Sequence, residues 1–404
     1  MIKPALKLLR DVVRLVGDLI VSKSARKRSN ASGVLVVRLD AIGDFVLWLD
    51  SAKELRRCFP GKRITLVANA SWADLARHFD YWDEVIPASL TGLIKSPLYR
   101  WGIIRQIAEA DIAVAVQMQY SRVFLAGDSI VRASGARERI ASVGDFSNIR
   151  TDQKRISNRW HTRLLQASPV AMMEIDRNAE FMAAPTGALC KAAVPSIPKL
   201  LDLPSSLCPS LPYFIVFPGA SVPIREWPLE KFASVIDDTV RLTGLIPVLC
   251  GSGAEKELCA TLSSLCSEDC LDYSGRTSLP EFVEVIRGAK LLIGNDTSAV
   301  HIAAAVQTPS ICILGGGHYG RFMPYPDHLD GVKPLVAMSR MDCFNCNWRC
   351  VQTENRDEPF PCITGVSVEQ VMAMVERILD PSVDHDGQMP AVDANLVKKL
   401  GALQ

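Results

Sequence analysis

The chain lacks any run of about eighteen apolar residues, the least that crosses a bilayer as a helix, which argues against a membrane-spanning segment and leaves a soluble or peripheral protein. An excess of charge of one sign is missing too. The formal net charge is +1 over 404 residues, so nothing draws the whole molecule to nucleic acid, and any electrostatic function must be local. Neither G-x-x-x-x-G-K-[ST] nor G-x-G-x-x-G occurs, which argues against a kinase-type or nicotinamide enzyme. The one strict D-x-D, Asp384-His-Asp386, lies in a polar tail (381–404) and reads as solvated chain rather than a metal clamp. A cleavable leader is not recognisable, because Arg14 and Asp18 interrupt what would be its apolar core. The 12 cysteines belong to a chain too long to need disulfide staples, so the compartment reads as reducing and cytoplasmic.

The length fits two domains, each able to bury its own core. Residues 1–30 form a separate element. In it Ile2, Ala5, Leu6, Leu9, Val12, Val13, Val16, Leu19 and Ile20 recur at helical spacing, with Lys3, Lys7, Arg10, Arg14 and Asp18 on the other face. The segment holds eight basic and two acidic residues, a net charge of +6. Two readings fit this pattern: residues 1–28 lie on the inner face of an anionic membrane, or the helix packs on the protein's own surface or against a second copy.

Beyond it the chain alternates strands and helices. Gly33-Val-Leu-Val-Val-Arg-Leu39 reads as a strand buried on both faces, Asp40-Ala-Ile-Gly-Asp44 as a turn, and Phe45 to Phe59 as a helix. Further strands are expected at 63–68, 84–86 and 112–116. The proline-rich stretch 195–212 reads as a linker. A second alternation starts at Tyr213, with strands at 213–217, 246–250, 291–293 and 310–314. The expected fold is α/β: two Rossmann-like, doubly wound parallel sheets facing a cleft, with ligands beyond the carboxyl ends of their strands.

Three strand ends carry candidate chemistry. Gly43 permits a tight turn that sets the Asp44 carboxylate at a helix start, where the free amides favour the ionised form and a general base is plausible; a plain capping aspartate is the blander reading. Ile293-Gly-Asn-Asp-Thr-Ser-Ala-Val-His301 ends a strand in amides and hydroxyls suited to a diphosphate, with His301 one helical turn on. Phe217-Pro-Gly-Ala-Ser-Val-Pro-Ile-Arg-Glu-Trp-Pro228 offers Ser221 and Arg225, whose guanidinium fork matches phosphate oxygens. Glu255, after Cys250-Gly-Ser-Gly253, is either a ribose acceptor or an ordinary first-turn acid. Cys343, Cys346, Cys350 and Cys362 supply four soft ligands for a structural zinc or iron, or else pack as free thiols, since the paired C-x-x-C…C-x-x-C spacing is missing.

With those residues in place, the chain resembles glycosyltransferase family 9, the ADP-heptose:lipopolysaccharide heptosyltransferases, over residues 33–380. Val-Val-Arg-Leu-Asp-Ala-Ile-Gly-Asp-Phe, Phe-Pro-Gly-Ala-Ser with Trp-Pro, Ser274-Gly-Arg276 and Asn-Asp-Thr-Ser-Ala-Val-His carry the likeness. It implies a GT-B fold, with an acceptor domain over 31–194, the linker, and a nucleotide-sugar domain over 213–380 that includes the cysteine loop 343–362. It also implies inverting transfer with Asp44 as catalytic base, no cofactor needed for catalysis, and diphosphate contacts from Ser221, Arg225, Asp296, Thr297, Ser298 and His301, with Glu255 near the ribose. Ala220, Ser221, Arg225 and Ser298 depart from common family choices, which leaves the donor sugar open. The implied partners are a nucleotide-sugar donor and a lipid-linked or glycan acceptor; a polypeptide acceptor and a catalytically silent scaffold are the other readings. Arg100, Arg105, Arg122, Arg137 and Arg139 are expected, from charge alone, to meet an anionic acceptor.

Overall fold

The computed structural model describes residues 2–24, 31–186 and 190–379. The basic triplet at 26–28 and the tail 381–404 with Asp384-His-Asp386 lie outside the described residues. The apolar run after Gly33 forms β1 (Gly33–Arg38), and all of it is buried, as expected of a central parallel strand covered on both faces. The N-terminal half opens with α1 (Ile2–Ser24) and continues after β1 with α2 (Ile42–Cys58), β2 (Ile64–Asn69), α3 (Ala73–Ala76), β3 (Glu84–Ala88), α4 (Leu90–Lys95) and α5 (Pro97–Glu109). It is completed by β4 (Ile112–Gln117), α6 (Ser129–Ala133), β5 (Glu138–Ser142), α7 (Thr151–Asn158), β6 (Arg163–Leu165) and α8 (Glu174–Thr186).

The C-terminal half runs β7 (Tyr213–Phe217), α9 (Leu229–Thr243), β8 (Ile246–Leu249), α10 (Lys256–Leu265), β9 (Leu271–Asp272), α11 (Leu279–Gly288), β10 (Leu292–Asn295), α12 (Ser298–Ala305), β11 (Ser310–Ile313), β12 (Leu335–Ala337), α13 (Pro361–Thr364) and α14 (Val368–Leu379). The two sheets have the orders β3-β2-β1-β4-β5-β6 and β12-β11-β10-β7-β8-β9, the same winding in both, with every pairing parallel. The direction of winding therefore reverses between β1 and β4 and again between β7 and β10. Neighbouring loops part at such points and leave a crevice, and the loops after β1, β7 and β10 hold the candidate residues. The expected α/β architecture with two doubly wound sheets is what the structure shows.

The proline-rich stretch after α8 is pinned rather than loose. Ile197 and Leu207 are buried, the Ile197 amide donates to the Ala305 carbonyl (2.9 Å), and Arg287 donates to the carbonyls of Ile197 and Pro198.

Of the five arginines expected to meet an acceptor, three are engaged within the protein and two stay on the surface. Arg100 is buried and donates to both carboxylate oxygens of Asp18, tying α1 to α5. Arg122 is buried against Asp128 (3.4 Å) and Asn158, while Arg139 donates to the carbonyls of Trp160 and Ala136. Arg105 pairs with Glu109 on its own helix and Arg137 reaches the Ala31 carbonyl. Charge read from sequence carries no record of these partners, and the expectation is corrected for Arg100, Arg122 and Arg139, whereas Arg105 and Arg137 remain exposed.

Candidate active site

α2 begins at Ile42, three residues ahead of the expected start, so Gly43 and Asp44 stand in its first turn. Asp44 Oδ2 accepts from the Ala41 amide at 3.2 Å. A free helix start favours an ionised carboxylate, but here burial outweighs it. Desolvation, followed by the neighbouring Asp40 charge, pushes the Asp44 carboxyl up to about 7, against the pull of Arg38, Arg321 and the Ala41 amide. Asp44 is thus poised to exchange a proton near neutrality, where a general base works best.

The groups around it are spread along the sequence. Arg38, the buried last residue of β1, donates from Nε to Asp40 (3.1 Å), from one terminal nitrogen to Asn178 (3.0 Å) on α8, and from the other to the Asp44 carbonyl (3.2 Å). Glu174, at the start of α8, lies 3.9 Å from the same guanidinium. Arg321, from the loop after β11 in the other half, places Nε 3.5 Å from Glu174 and donates to Ser121 Oγ at 3.1 Å; its carbonyl accepts from the Glu174 amide at 2.8 Å. Burial raises Asp40 to about 6 and raises Glu174 as well, so three carboxyls share two arginines. None of Arg38, Glu174 and Arg321 was singled out from the sequence, where Arg38 stood only as part of a strand and of the opening motif.

Opposite stands the pair of loops after β7 and β10. Asn295, fully buried at the end of β10, stitches them together: its Nδ2 donates to the Pro218 carbonyl (2.6 Å) and its Oδ1 accepts from the Trp227 amide (3.1 Å). Arg225 donates to the Asp296 carbonyl and carboxylate (3.0 Å to Oδ2) and to Ser221 Oγ (3.4 Å). The Asp296 side chain holds Arg225 in this structure. Arg225 Nε and Thr297 Oγ1 are buried without a partner in the protein. Ser298, half-buried, opens α12. Glu255 follows β8; its Oε2 accepts from the Ser252 amide at 2.6 Å, while Oε1 abuts Gly219 in the β7 loop. Glu255 thus takes the first-turn position and lies beside the β7 loop. The Ser274-Gly-Arg276 turn sits beside the same loop through a Gly275 amide bond to the Gly251 carbonyl (2.9 Å).

His301, one turn into α12, is buried, and its Nδ1 meets Tyr325 Oη at 3.0 Å. Burial holds its pKa down at about 4, with Arg225 adding to the fall and Asp296 opposing it, so the ring is neutral at pH 7. If Nδ1 accepts from Tyr325, Nε2 carries the proton and is a donor. A Cβ added at Gly43 would lie 3.0 Å from His301 Cδ2 and 3.7 Å from both Nε2 and the Ser298 Cα. The first turn of α2, with Gly43 and Asp44, thus packs directly against the 296–301 turn of the other half.

The cysteine loop lies against the same site. The Asn345 and Asn347 amides donate to the carbonyls of Gly316 (2.7 Å) and Gly317 (3.0 Å), and Asn345, Asn347 and Trp348 all take positive φ. This turns Trp348 back over the Gly315–Gly317 strand end, where only glycine leaves room for the indole. The indole in turn lies 5.0 Å beneath the Arg225 guanidinium. Cys343, Cys346, Cys350 and Cys362 are free thiols; burial, then the other three thiols, raise Cys362, against the Gly316 amide. Among the described residues no group of three His, Cys, Asp or Glu side chains converges to hold a metal ion, so the ligand set expected for zinc or iron is not assembled in this arrangement.

Residues 155–346 match the family model described as glycosyltransferase family 9 (heptosyltransferase). Lipopolysaccharide heptosyltransferase 3 of Escherichia coli K12 is 26% identical over 183 residues, 44% of this chain and 50% of that protein. The chain thus spans about half the length of the curated relatives it matches first. Among solved structures, E. coli ADP-heptose LPS heptosyltransferase II superposes with a TM-score of 0.64 at 17% identity, covering 86% of this chain and 98% of that one. The dodecameric iron-containing heptosyltransferase TibC, from enterotoxigenic E. coli and in complex with ADP-D-beta-D-heptose, superposes with a TM-score of 0.52 at 13% identity, covering 87% and 77%. At these identities the structural likenesses show the shared fold.

Proposed function

We propose that the chain, whose residues 155–346 match the model of glycosyltransferase family 9 (heptosyltransferase), is an inverting glycosyltransferase that moves a heptose or related sugar from a nucleotide-diphosphate donor, ADP-heptose first among them. The acceptor is a lipopolysaccharide core or another surface glycan made at the cytoplasmic face of a membrane. One observation supports the reading: a carboxyl whose pKa is pushed up to about 7 stands next to Gly43, which packs against the 296–301 turn, where Thr297 Oγ1 and the Nε of the neighbouring Arg225 have no partner in the protein. In this reading residues 31–194 serve the acceptor and residues 213–380 the donor.

Asp44 takes the proton from the acceptor hydroxyl as that oxygen attacks the anomeric carbon, the bond to the donor phosphate breaks, and the configuration inverts in the single displacement. The charge left on the diphosphate falls to Arg225, Thr297 Oγ1, Ser298 and the His301 Nε2 donor, which are already in place before reaction. Cations of the chain itself meet that charge, so turnover is expected to persist in EDTA. Asp296 and Trp348 hold Arg225 in position, and Glu255 receives the ribose. Close packing of the halves at Gly43 keeps water from the donor.

The test is a panel of ADP-, GDP- and UDP-sugars read by thermal shift and by turnover, with lipid-linked and polypeptide acceptors in parallel. ADP-heptose should raise the melting temperature by mass action, and Asp44→Ala should keep that shift while losing transfer. A chain stabilised by no nucleotide sugar, whose Asp44→Ala variant still supports its cellular role, would instead be a scaffold. Transfer to polypeptide alone would replace the glycan acceptor.

A further inference from the structure

The arginine proposed to meet the donor diphosphate rests on an aromatic ring whose own position is set by a histidine. Gly315, Gly316 and Gly317 leave a bare strip of backbone after β11, and the Trp348 indole lies on it, so that a Cβ added at Gly317 would stand 2.7 Å from its Nε1. The N–H edge of the ring therefore emerges beside the next residue, His318, and donates to its Nδ1 at 3.3 Å. An indole N–H only donates, so Nδ1 is the accepting nitrogen and the neutral imidazole carries its proton on Nε2. That nitrogen finds an acceptor in Asn347 Oδ1 at 2.7 Å, on a residue held at a positive φ of 50°. The two bonds select one tautomer and tie both Asn347 and Trp348 to one imidazole. The ring, half-buried, also stands edge-on between Phe322 (centroids 5.8 Å apart) and the indole (6.1 Å).

We propose that His318 is a positioning residue for the donor diphosphate: its neutral ring fixes the Trp348 indole, and through the indole the direction in which the Arg225 guanidinium points. The inference rests on the reading that Arg225 meets the diphosphate, and adds the residue that sets its orientation. Asp296 holds one terminal nitrogen of Arg225 and Ser221 Oγ the other. Both bonds follow the N–H directions in the guanidinium plane, so the tilt of that plane is left to whatever packs on its face, and that is the indole at 5.0 Å. Protonation of His318 and its bond to the indole exclude each other, because a second proton on Nδ1 would set one N–H against another. The surroundings keep the ring neutral. Burial lowers its pKa from the ordinary 6.5, Arg321 on its own loop and Arg225 on the β7 loop lower it further, and Asn347 Oδ1 and Asp296 oppose them.

Donor KM and kcat are to be measured for His318→Phe, His318→Gln, Trp348→Phe and the double variant His318→Phe/Trp348→Phe, with ADP-heptose or whichever sugar of the panel the wild type turns over. His318→Phe should raise KM about threefold with kcat changed by less than about twofold, the loss expected of one neutral hydrogen bond. His318→Gln, whose amide both accepts from the indole and donates to Asn347, should recover most of that loss. Phenylalanine at 348 has no N–H for His318 to hold, so adding His318→Phe to Trp348→Phe should raise KM no further. Without any donor, the indole N–H resonance that Trp348→Phe removes should shift in His318→Phe. In the wild type it should stay constant above pH 6.5 and move only below it, a dependence that His318→Gln abolishes. Additive losses in the double variant, or an indole resonance unmoved by His318→Phe, would overturn the inference. A wild-type chain that turns over no sugar of the panel defeats the proposed function and this inference with it, whereas a working wild type whose donor KM is unchanged in His318→Phe defeats the inference alone.

Discussion

The imidazole of His301, on the first turns of α12, closes on Gly43, the residue before Asp44, so that a single methyl group at position 43 would stand 3.0 Å from its Cδ2. His301 cannot give way freely, because it is buried and anchored by Tyr325. Gly43→Ala should therefore part the two halves at the crevice, costing about 1–3 kcal/mol of stability and reducing kcat about tenfold or more. Steady-state kinetics beside a thermal melt checks this; unchanged kcat would mean that the contact does not set the reacting geometry.

Removing the Asp44 carboxyl has opposite consequences for rate and for stability. Asp44→Asn should cut kcat by about 10³-fold with the donor KM nearly constant. The folded state binds the Asp44 proton more tightly than the unfolded chain, since its pKa of about 7 lies above the ordinary 3.8. The stability this supplies is complete below pH 3.8 and is lost as pH rises through about 7. The asparagine variant has no proton to lose, so its melting temperature should gain on that of the wild type between pH 5 and pH 8. A constant gap across that range would refute the raised value.

The two charges flanking Asp44 should move the pH profile in opposite directions. Asp40 raises the Asp44 pKa and Arg321 lowers it. Asp40→Asn should therefore shift the ascending limb of kcat/KM to lower pH, and Arg321→Ala should shift it to higher pH. The limb belongs to the coupled Asp40–Asp44–Glu174 set rather than to one carboxyl. His301 is already neutral in this window, with a pKa of about 4, so its titration does not contribute. Shifts of the same sign in both variants would break the assignment.

What could be read from the sequence and what could not divide by distance along the chain. Local patterns carried the strands: the Gly33–Arg38 run and the Asn-Asp-Thr-Ser turn each announce a strand end within a dozen residues, and both stand where the windings reverse. Arg38, Glu174 and Arg321 act through contacts between residues more than a hundred positions apart, which no period or spacing records. The same limit applies to α1. Helical spacing separates its polar and apolar faces, but which face turns inward is decided by Arg100, 82 residues beyond Asp18. Arg100, Arg122 and Arg139, assigned to an acceptor from charge, show the converse, since a charge counts towards a ligand only after its protein partners have been subtracted.

The cysteine loop reaches the proposed chemistry through Trp348. Its indole lies 5.0 Å beneath the Arg225 guanidinium, itself fixed by Asp296, and the positive φ at Asn345, Asn347 and Trp348 shows the backbone held in a costly form to put it there. Contacts of this kind contribute about 0.5–2 kcal/mol, more when water is excluded. Trp348→Ala should therefore raise the donor KM about tenfold, while Trp348→Phe, which keeps a ring face beneath the cation, should recover most of the loss. A role confined to folding would lower the melting temperature of both variants and leave the KM of the folded fraction unchanged. Isothermal titration with ADP at two ionic strengths separates the cases: only the loss of an oriented guanidinium reduces the enthalpy of phosphate binding in the alanine variant and restores it in the phenylalanine one.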